Sequence, residues 1–260
     1  MGSTRRICQK TGLALAASPA QAFRIARESY GPLAPPLRHA GEEDPSAWSR
    51  YDTVGRTIYA SADRQTAFME LLAPYRTIVD EKRRALQPLA DFMGLPLDEL
   101  WSQIVGEWEE AGTMKASWLP RVFREGREIY GLSFPQGWWI DVTATETISA
   151  LIDYLEPHAL TGDAMLTMSD LTGDDRALTT AIAGILRDRV ELDDGTLPLG
   201  IQFFSNHGRP ADGTGLCWAY WLRNVDAGLD EPTTVRSTDE ISVSDPAFDA
   251  ALKLCRIKSR

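Results

Sequence analysis

Four side chains with useful chemistry lie in two separate segments of this sequence. Arg50, Tyr59 and Glu70 fall within SRYDTVGRTIYASADRQTAFMELL, and Ser205 follows in GIQFFSNHG. A guanidinium can hold a phosphate group through paired, charge-assisted hydrogen bonds, and a carboxylate can stabilise positive charge that develops on a sugar. An aromatic ring adds a flat face, and a hydroxyl adds a hydrogen-bonding group. Together these residue types suit the binding of a phosphorylated sugar and the stabilisation of a glycosyl cation.

The composition limits the partners that such a site can serve. The chain has 260 residues, with 27 basic against 37 acidic side chains and a formal net charge of −10. Direct binding to nucleic acid depends on neutralising phosphates with Lys and Arg, so the acidic balance argues against it. No apolar run approaches the roughly 18 residues that a membrane span needs. We therefore expect a small-molecule ligand, with no direct nucleic-acid contact and no membrane.

The cysteines, the histidines and the first residues bear on compartment and metal content. Three cysteines without a CxxC spacing do not form a disulfide framework or a structural zinc site, and the three histidines lack the spacing of metal ligands. The apolar stretch at residues 12–17 is shorter than the roughly 7 to 15 residues at the centre of a secretory signal. The sequence predicts a cytoplasmic protein without a bound metal.

The elements around the first three site residues can be predicted from their periodicity. TIYAS, at residues 57–61, is typical of a short strand that carries Tyr59. The following residues place apolar side chains at helical spacing, and either Ser61 or Asp63 can cap the start of this helix. Glu70 lies beside that apolar stripe. We expect it at the edge of the helix, facing a cleft.

The second half of the chain predicts strands and helices that support the site. Residues 137–142, 200–204 and 216–222 are typical of strands, and Ser205 stands at the end of the second of these. Helical periodicity marks the stretches around Ile148–Leu155 and Ala177–Leu186, and a last helix is expected at 246–258. Residues 79–135 are charged and helix-like, and we interpret them as a helical insertion.

The order of the motifs resembles one known family. Nine positions separate Arg50 from Tyr59 and eleven separate Tyr59 from Glu70, and WIDVTATET and GIQFFSNHG followed by CWAYW come later. In this order and with these flanking strands, the motifs resemble the RES domain family, which is named for its Arg, Glu and Ser. The resemblance covers residues 23–223 and is weakest between 79 and 135.

The resemblance implies both a fold and an activity. The implied fold is α+β and ADP-ribosyltransferase-like: a split mixed sheet with surrounding helices and a helical insertion, in a single domain at 1–260. The implied activity is NAD degradation, by hydrolysis or phosphorolysis of the nicotinamide–ribose bond, with NAD as a substrate and not as a cofactor. Many members resemble toxins that a cognate antitoxin protein neutralises, so an antitoxin is an implied partner.

Carried over residue by residue, the resemblance implies one role for each of the four side chains. Glu70 stabilises the developing sugar cation, and Arg50 holds the pyrophosphate. Tyr59 and Ser205 position the ligand.

Two alternatives remain open from the sequence. Where the family tends to have Gly-Gly-Arg-Trp, this chain has Trp48, Ser49, Arg50 and Tyr51, so Arg24 or Arg56 can take the place of Arg50. The chain can also be a non-catalytic protein of the same fold that binds a nucleotide or a partner. The sequence does not choose between water and phosphate as the acceptor, and it does not set the oligomeric state.

Overall fold

The structure is a computed structural model that describes residues 4–41, 44–111, 118–154, 166–211 and 213–259. Its strands are β1 (Arg5–Ile7), β2 (Ala14–Ala17), β3 (Ala22–Arg27), β4 (Thr57–Ser61), β5 (Trp118–Leu119), β6 (Arg127–Ser133), β7 (Trp138–Asp141), β8 (Gly200–Phe204), β9 (Leu216–Trp221), β10 (Thr234–Glu240) and β11 (Lys258–Ser259). Its helices are α1 (Arg64–Arg84), α2 (Gln87–Met93), α3 (Leu97–Glu110), α4 (Arg121–Glu125), α5 (Thr145–Tyr154), α6 (Met168–Thr172), α7 (Arg176–Asp188), α8 (Arg223–Asp226) and α9 (Pro246–Cys255), with a 3₁₀ turn at Pro45–Ala47.

Within the described residues, nine strands form one mixed sheet in the order β1-β2-β7-β8-β9-β4-β3-β6-β10. Only β7 and β8 run parallel, and the other neighbours are antiparallel. Strands β5 and β11 form a separate parallel pair. The prediction of an α+β fold built on a mixed sheet is confirmed.

The sheet is nearly divided between β3 and β4. These two strands share a single residue pair, Phe23 with Ser61. On either side the pairing is continuous, since β3 pairs with β6 at six positions and β4 pairs with β9 at five. Beyond that one pair the two strands separate, which leaves a gap that side chains and a ligand can enter.

Helix α1 covers the division. Its start is fixed by Asp63, whose side chain accepts a hydrogen bond from the amide of Thr66, as one of the two predicted caps requires. Phe68 and Leu72 are fully buried beneath it, and the ring of Phe68 lies 5.1 Å from that of Phe248 in α9. Burying a side chain of this size contributes about 2 to 3 kcal/mol, so this contact holds α1 firmly over the sheet.

Helices α5 and α7 cover the other half of the sheet. Leu151 of α5 and Ile182 of α7 pack with Ile140 of β7 and Ile201 of β8 in one buried cluster. The opposite face of the sheet carries an aromatic cluster around Trp139, whose ring lies 5.0 Å from that of Phe134 and 5.7 Å from that of Tyr220. Both faces of the sheet are therefore covered by packed side chains on either side of the gap between β3 and β4.

The segment predicted as a helical insertion is helical only in part. Helices α2 and α3 lie within it, and α2 ends at Gly94 in the left-handed conformation. Arg127–Ser133 instead forms β6, which pairs with β3 and β10 inside the sheet. Its short apolar run IYGL does not show by itself whether it is helix or strand, and pairing with two distant strands decides the outcome. Residues 112–117 of this segment lie outside the described residues.

No helix among the described residues combines the length and the apolar character that crossing a bilayer requires.

Candidate functional site

A cleft of about 390 Å³ opens where the sheet divides. Strands β3 and β4 supply one wall, and α1 supplies another. The described residues that line it are Phe23, Arg24, Ile25, Trp48, Ser49, Arg50, Tyr59, Ala60, Ser61, Ala67, Glu70, Leu71, Pro74, Arg176, Phe203, His207 and Cys217.

The charges in the cleft differ from those of the whole protein. The net charge of the chain is −10, yet the described lining has three arginines, Arg24, Arg50 and Arg176, and a single carboxylate, that of Glu70. A concave site with clustered positive charge attracts small anions even when the whole protein repels them. The cleft therefore suits an anionic ligand that also has a group for one carboxylate.

Glu70 projects from α1 beside its buried apolar stripe. The residue is partly buried. Within the part of the chain that the structure describes, its carboxylate makes no hydrogen bond and no ion pair, although three arginines line the same cleft. Its oxygens can therefore accept hydrogen bonds from ligand hydroxyls, as predicted for this residue.

Arg50 follows the 3₁₀ turn at Pro45–Ala47 and reaches across the cleft mouth. Its Nε donates a hydrogen bond to the carbonyl of Gly173 at 3.2 Å. The guanidinium carbon lies 5.9 Å from the ring centre of Tyr51 and 6.0 Å from that of Phe203, within the range of cation–π attraction. These contacts hold the side chain without a carboxylate, so its remaining N–H groups are available to an anion.

Arg24 lies on β3 and spans the gap in the sheet. Its Nη1 donates to the carbonyl of Tyr59 in β4 at 3.0 Å, while its Nε is buried without a partner among the described residues. Burial lowers the pKa of Arg24 to about 10, so the group remains cationic at neutral pH. A buried cation with an unsatisfied N–H is costly, and an anionic ligand would relieve that cost.

Arg176 is the lining residue that the sequence interpretation missed. It is the first residue of α7, directly after the cap Asp175. Its Nη2 donates to Asp174 at 3.1 Å, and its Nη1 is buried without a partner among the described residues. GDDR signals a helix start and nothing more, since only the tertiary fold brings Arg176 beside β4 and α1.

Tyr59 presents its ring to the cleft, but its hydroxyl is already engaged. The hydroxyl donates to Asp52 at 2.7 Å and accepts from the amide of Tyr51 at 3.3 Å. Burial, and next the nearby Asp52 carboxylate, raise the pKa of Tyr59 well above its usual value, so the phenol stays protonated. The predicted flat face is available to a ligand, while the hydroxyl holds the loop that precedes β4.

Ser205 stands at the end of β8, as predicted, but it does not line the cleft. Its Oγ accepts a hydrogen bond from the amide of His207 at 3.1 Å, which is a turn of the kind that serine often forms. His207 does line the cleft. Arg50, Tyr59 and Glu70 therefore line the cleft as one group. Ser205 lies outside the lining and contacts it only through His207.

Arg56, one of the two alternatives to Arg50, belongs to a different part of the molecule. Its Nη1 pairs with Asp226 at 3.0 Å, and Asp226 also pairs with Arg187 at 2.5 Å. Gly55, at φ +99°, makes room for this cluster, because a Cβ there would clash with an oxygen of Asp226. Arg56 is thus committed to an ion cluster outside the cleft, whereas Arg24 lies within it.

Cys217 is the one cysteine in the described lining. Burial raises the pKa of its thiol, and the charge of Glu70 raises it further. Its Sγ lies 3.5 Å from the hydroxyl of Ser61. The thiol stays neutral, so Cys217 is a wall of the cleft and a poor nucleophile.

Comparisons with known proteins add little. No protein-family model matches the chain, and no curated protein matches it. Among solved structures, the crystal structure of the M. tuberculosis MbcT-MbcA toxin-antitoxin complex aligns over 91% of this chain and 88% of that chain, with a TM-score of 0.37 and 14% identity. Because the TM-score and identity are so low, this similarity carries no argument about function.

Proposed function

We propose that this protein is an enzyme that degrades NAD by cleaving the bond between nicotinamide and ribose. One observation supports this best: the carboxylate of Glu70, which has no partner among the described residues, shares a cleft with three arginines and an aromatic ring. An unpartnered carboxylate suits ribose hydroxyls, and the arginines suit a pyrophosphate. The family resemblance of the sequence points to the same chemistry, with an ADP-ribosyltransferase-like arrangement of the split sheet.

Cleavage of the bond between nicotinamide and ribose does not require a general acid from the protein. When the C–N bond breaks, its electron pair stays on the nicotinamide nitrogen and neutralises the positive charge there, so the leaving group needs no proton. The ribose carbon becomes cationic in the transition state, and a carboxylate that bonds the ribose hydroxyls strengthens its contact as this charge grows. Water then adds to the carbon and loses a proton, giving ADP-ribose. Phosphate in the same position gives ADP-ribose 1-phosphate.

Five residues of the cleft and Ser205 beside it have roles in this proposal. Glu70 stabilises the ribose cation. Arg50 holds the pyrophosphate, and Arg24 and Arg176 share that task because both offer unsatisfied N–H groups. Tyr59 supplies a face for the nicotinamide or ribose. Ser205 contributes by fixing the turn that carries His207.

The toxin role and the antitoxin partner are further parts of this proposal, and the sequence resemblance alone supports them. NAD loss would stop growth when the protein is expressed alone in a bacterial host. Co-expression of the protein from the neighbouring reading frame would restore growth if that protein covers the cleft.

The test is to incubate the purified protein with NAD and to identify the products, with and without inorganic phosphate. We expect free nicotinamide in both cases, with ADP-ribose in buffer or ADP-ribose 1-phosphate when phosphate is the acceptor. Release of nicotinamide mononucleotide and AMP would contradict the proposal, because it places cleavage at the pyrophosphate. NAD that binds but is recovered intact would instead favour the non-catalytic alternative of the same fold.

A further inference from the structure

Two smaller cavities adjoin the cleft, and one residue connects all three. Their volumes are about 340 and 190 Å³, and His207 lines both of them as well as the cleft. Met69 and Arg76 of α1 also line both smaller cavities. We call these two cavities together the side chamber. A ligand in the cleft can therefore extend past His207 into the side chamber.

The side chamber is cationic. Arg76 lines both of its cavities and makes no hydrogen bond or ion pair among the described residues. Arg209 uses its Nε to bind the carbonyl of Gly213 at 3.0 Å, which fixes the side chain and leaves its outer nitrogens open. No described carboxylate lines either cavity. Arg76 and Arg209 are exposed, so the side chamber is open to solvent and can receive negative charge separate from that in the main cleft.

The distance between the two regions suits the far end of a dinucleotide. Glu70 and Arg76 lie six residues apart on α1, which corresponds to about 9 Å along the helix axis and about a third of a turn around it. Ligand pockets commonly have volumes of roughly 300 to 1,000 Å³, so the main cleft is at the small end of that range. A nicotinamide ribose at Glu70 would leave the adenosine half to extend toward the side chamber.

The number of cations matters as well. Three arginines already line the cleft, while each phosphate of a pyrophosphate carries a single negative charge. Three further described guanidiniums lie beyond His207, those of Arg76, Arg84 and Arg209, and Arg84 already has an interaction of its own. The other two are open to a phosphate placed elsewhere on the ligand.

We propose that Arg76 and Arg209 bind a phosphate on the adenosine ribose, which makes the phosphorylated dinucleotide NADP a better substrate than NAD. This inference rests on the proposed function, since it assigns the nicotinamide end to Glu70. Arg76 and Arg209 are specificity residues in this account, and they touch no reacting atom.

The experiment compares kcat/KM for NADP and for NAD in the wild type and in Arg76→Ala/Arg209→Ala, at low ionic strength. We expect the wild type to prefer NADP by about tenfold or more, as charge-assisted hydrogen bonds of this kind provide. The double variant should lose that preference while its kcat/KM for NAD stays within about twofold, a change smaller than one surface contact makes. Lys82→Ala removes one positive charge from the exposed side of α1 and should leave the preference unchanged.

Three results would overturn the inference. The first is a wild type without a preference for NADP, and the second is a preference that survives in the double variant. A double variant that loses only the phosphate-dependent product from NAD would assign the chamber to inorganic phosphate instead.

A binding measurement separates this inference from the proposed function. If no nicotinamide is released from either dinucleotide, calorimetric titration with 2′-phospho-ADP-ribose and with ADP-ribose still tests the chamber. Tighter binding of the phosphorylated ligand, lost in the double variant, would support the side chamber although the proposed cleavage had failed. Equal binding of both ligands by the wild type would overturn it.

Discussion

Two regions of this protein arrange their arginines and carboxylates in different ways. In the cluster of Arg56, Arg187 and Asp226, the two guanidiniums share one carboxylate at 3.0 and 2.5 Å. In the cleft, Glu70 has no partner among the described residues, and Arg24 has a buried N–H without an acceptor. The cluster satisfies its own charges and so supports the fold. In the cleft, the Glu70 carboxylate and the Arg24 guanidinium keep hydrogen-bonding capacity that a ligand can use.

The largest expected effect comes from Glu70→Gln, which keeps the size of the side chain and removes its charge. We expect NAD cleavage to fall by about a thousandfold, because an electrostatic group aimed at developing charge contributes on that order. The free energy of unfolding should not fall, since Glu70 has no partner to lose in the part of the chain that the structure describes. Nicotinamide release and urea unfolding measure the two quantities.

Glu81→Gln is the matched control for this change, because Glu81 is an exposed residue of the same helix outside the cleft. It should keep wild-type cleavage. A well-folded Glu70→Gln enzyme with an unchanged rate would remove Glu70 from the mechanism.

Asp226→Ala should lower the stability of the protein and leave its activity unchanged, the opposite of Glu70→Gln. It leaves two guanidiniums of the ion cluster without their carboxylate, and removing one partner from a largely buried pair costs about 3 kcal/mol of unfolding free energy. The activity of the molecules that remain folded should be unchanged. Asp239→Ala, which breaks the exposed pair with Arg64, should cost at most about 0.5 kcal/mol. Equal losses in the two variants would contradict the structural role of the cluster.

Arg24→Met tests whether the buried guanidinium in the gap serves the ligand or the fold. The change loses one hydrogen bond to Tyr59 but also removes a buried cation whose Nε has no partner among the described residues, so the unfolding free energy should change by less than about 1 kcal/mol. The KM for NAD should rise about tenfold, because a charge-assisted contact to the pyrophosphate is lost. A loss of stability with an unchanged KM would make Arg24 a structural bridge.

Tyr59→Phe is expected to have the smallest effect. It removes the hydroxyl that binds Asp52 and the amide of Tyr51, and it should lower the unfolding free energy by about 1 kcal/mol. Because the ring remains, kcat/KM should stay within about threefold of the wild type, a change of less than 1 kcal/mol. Tyr30→Phe, at a residue that is 63% exposed, controls for loss of a phenol hydroxyl. A large loss of kcat/KM in Tyr59→Phe would show that the hydroxyl itself contacts the ligand.

Local patterns predicted those elements whose signals lie within a few neighbouring residues. Thr57–Ser61 and Gly200–Phe204 form strands with the predicted bounds, because each is a short apolar run that ends at polar residues. Helix α7 was visible from its apolar spacing, and α1 from its cap and its stripe. The local sequence also placed Tyr59 and Glu70 correctly, since one follows from the strand and the other from the helix.

What the sequence did not predict depends on contacts between distant segments. Arg176 lines the cleft because α7 packs on the same half of the sheet as β8. The sequence around Arg176 contains no signal for this packing. Strand β6 was hidden because its pairing with β3 and β10 outweighs its ambiguous local pattern. The choice between Arg24 and Arg56 also needed the fold, since only the position of Asp226 shows that Arg56 is already paired.

The lone backbone pair between Phe23 and Ser61 has a mechanical consequence. Apart from that pair, the two half-sheets are connected by α1, which contacts both β3 and β4, and by the hydrogen bond from Arg24 to the carbonyl of Tyr59, so the width of the gap depends on side-chain contacts. A dinucleotide that contacts both β3 and β4 would connect the two half-sheets and reduce fluctuations in the width of the gap. Amide deuterium exchange would then be slower in both β3 and β4 when the ligand is bound.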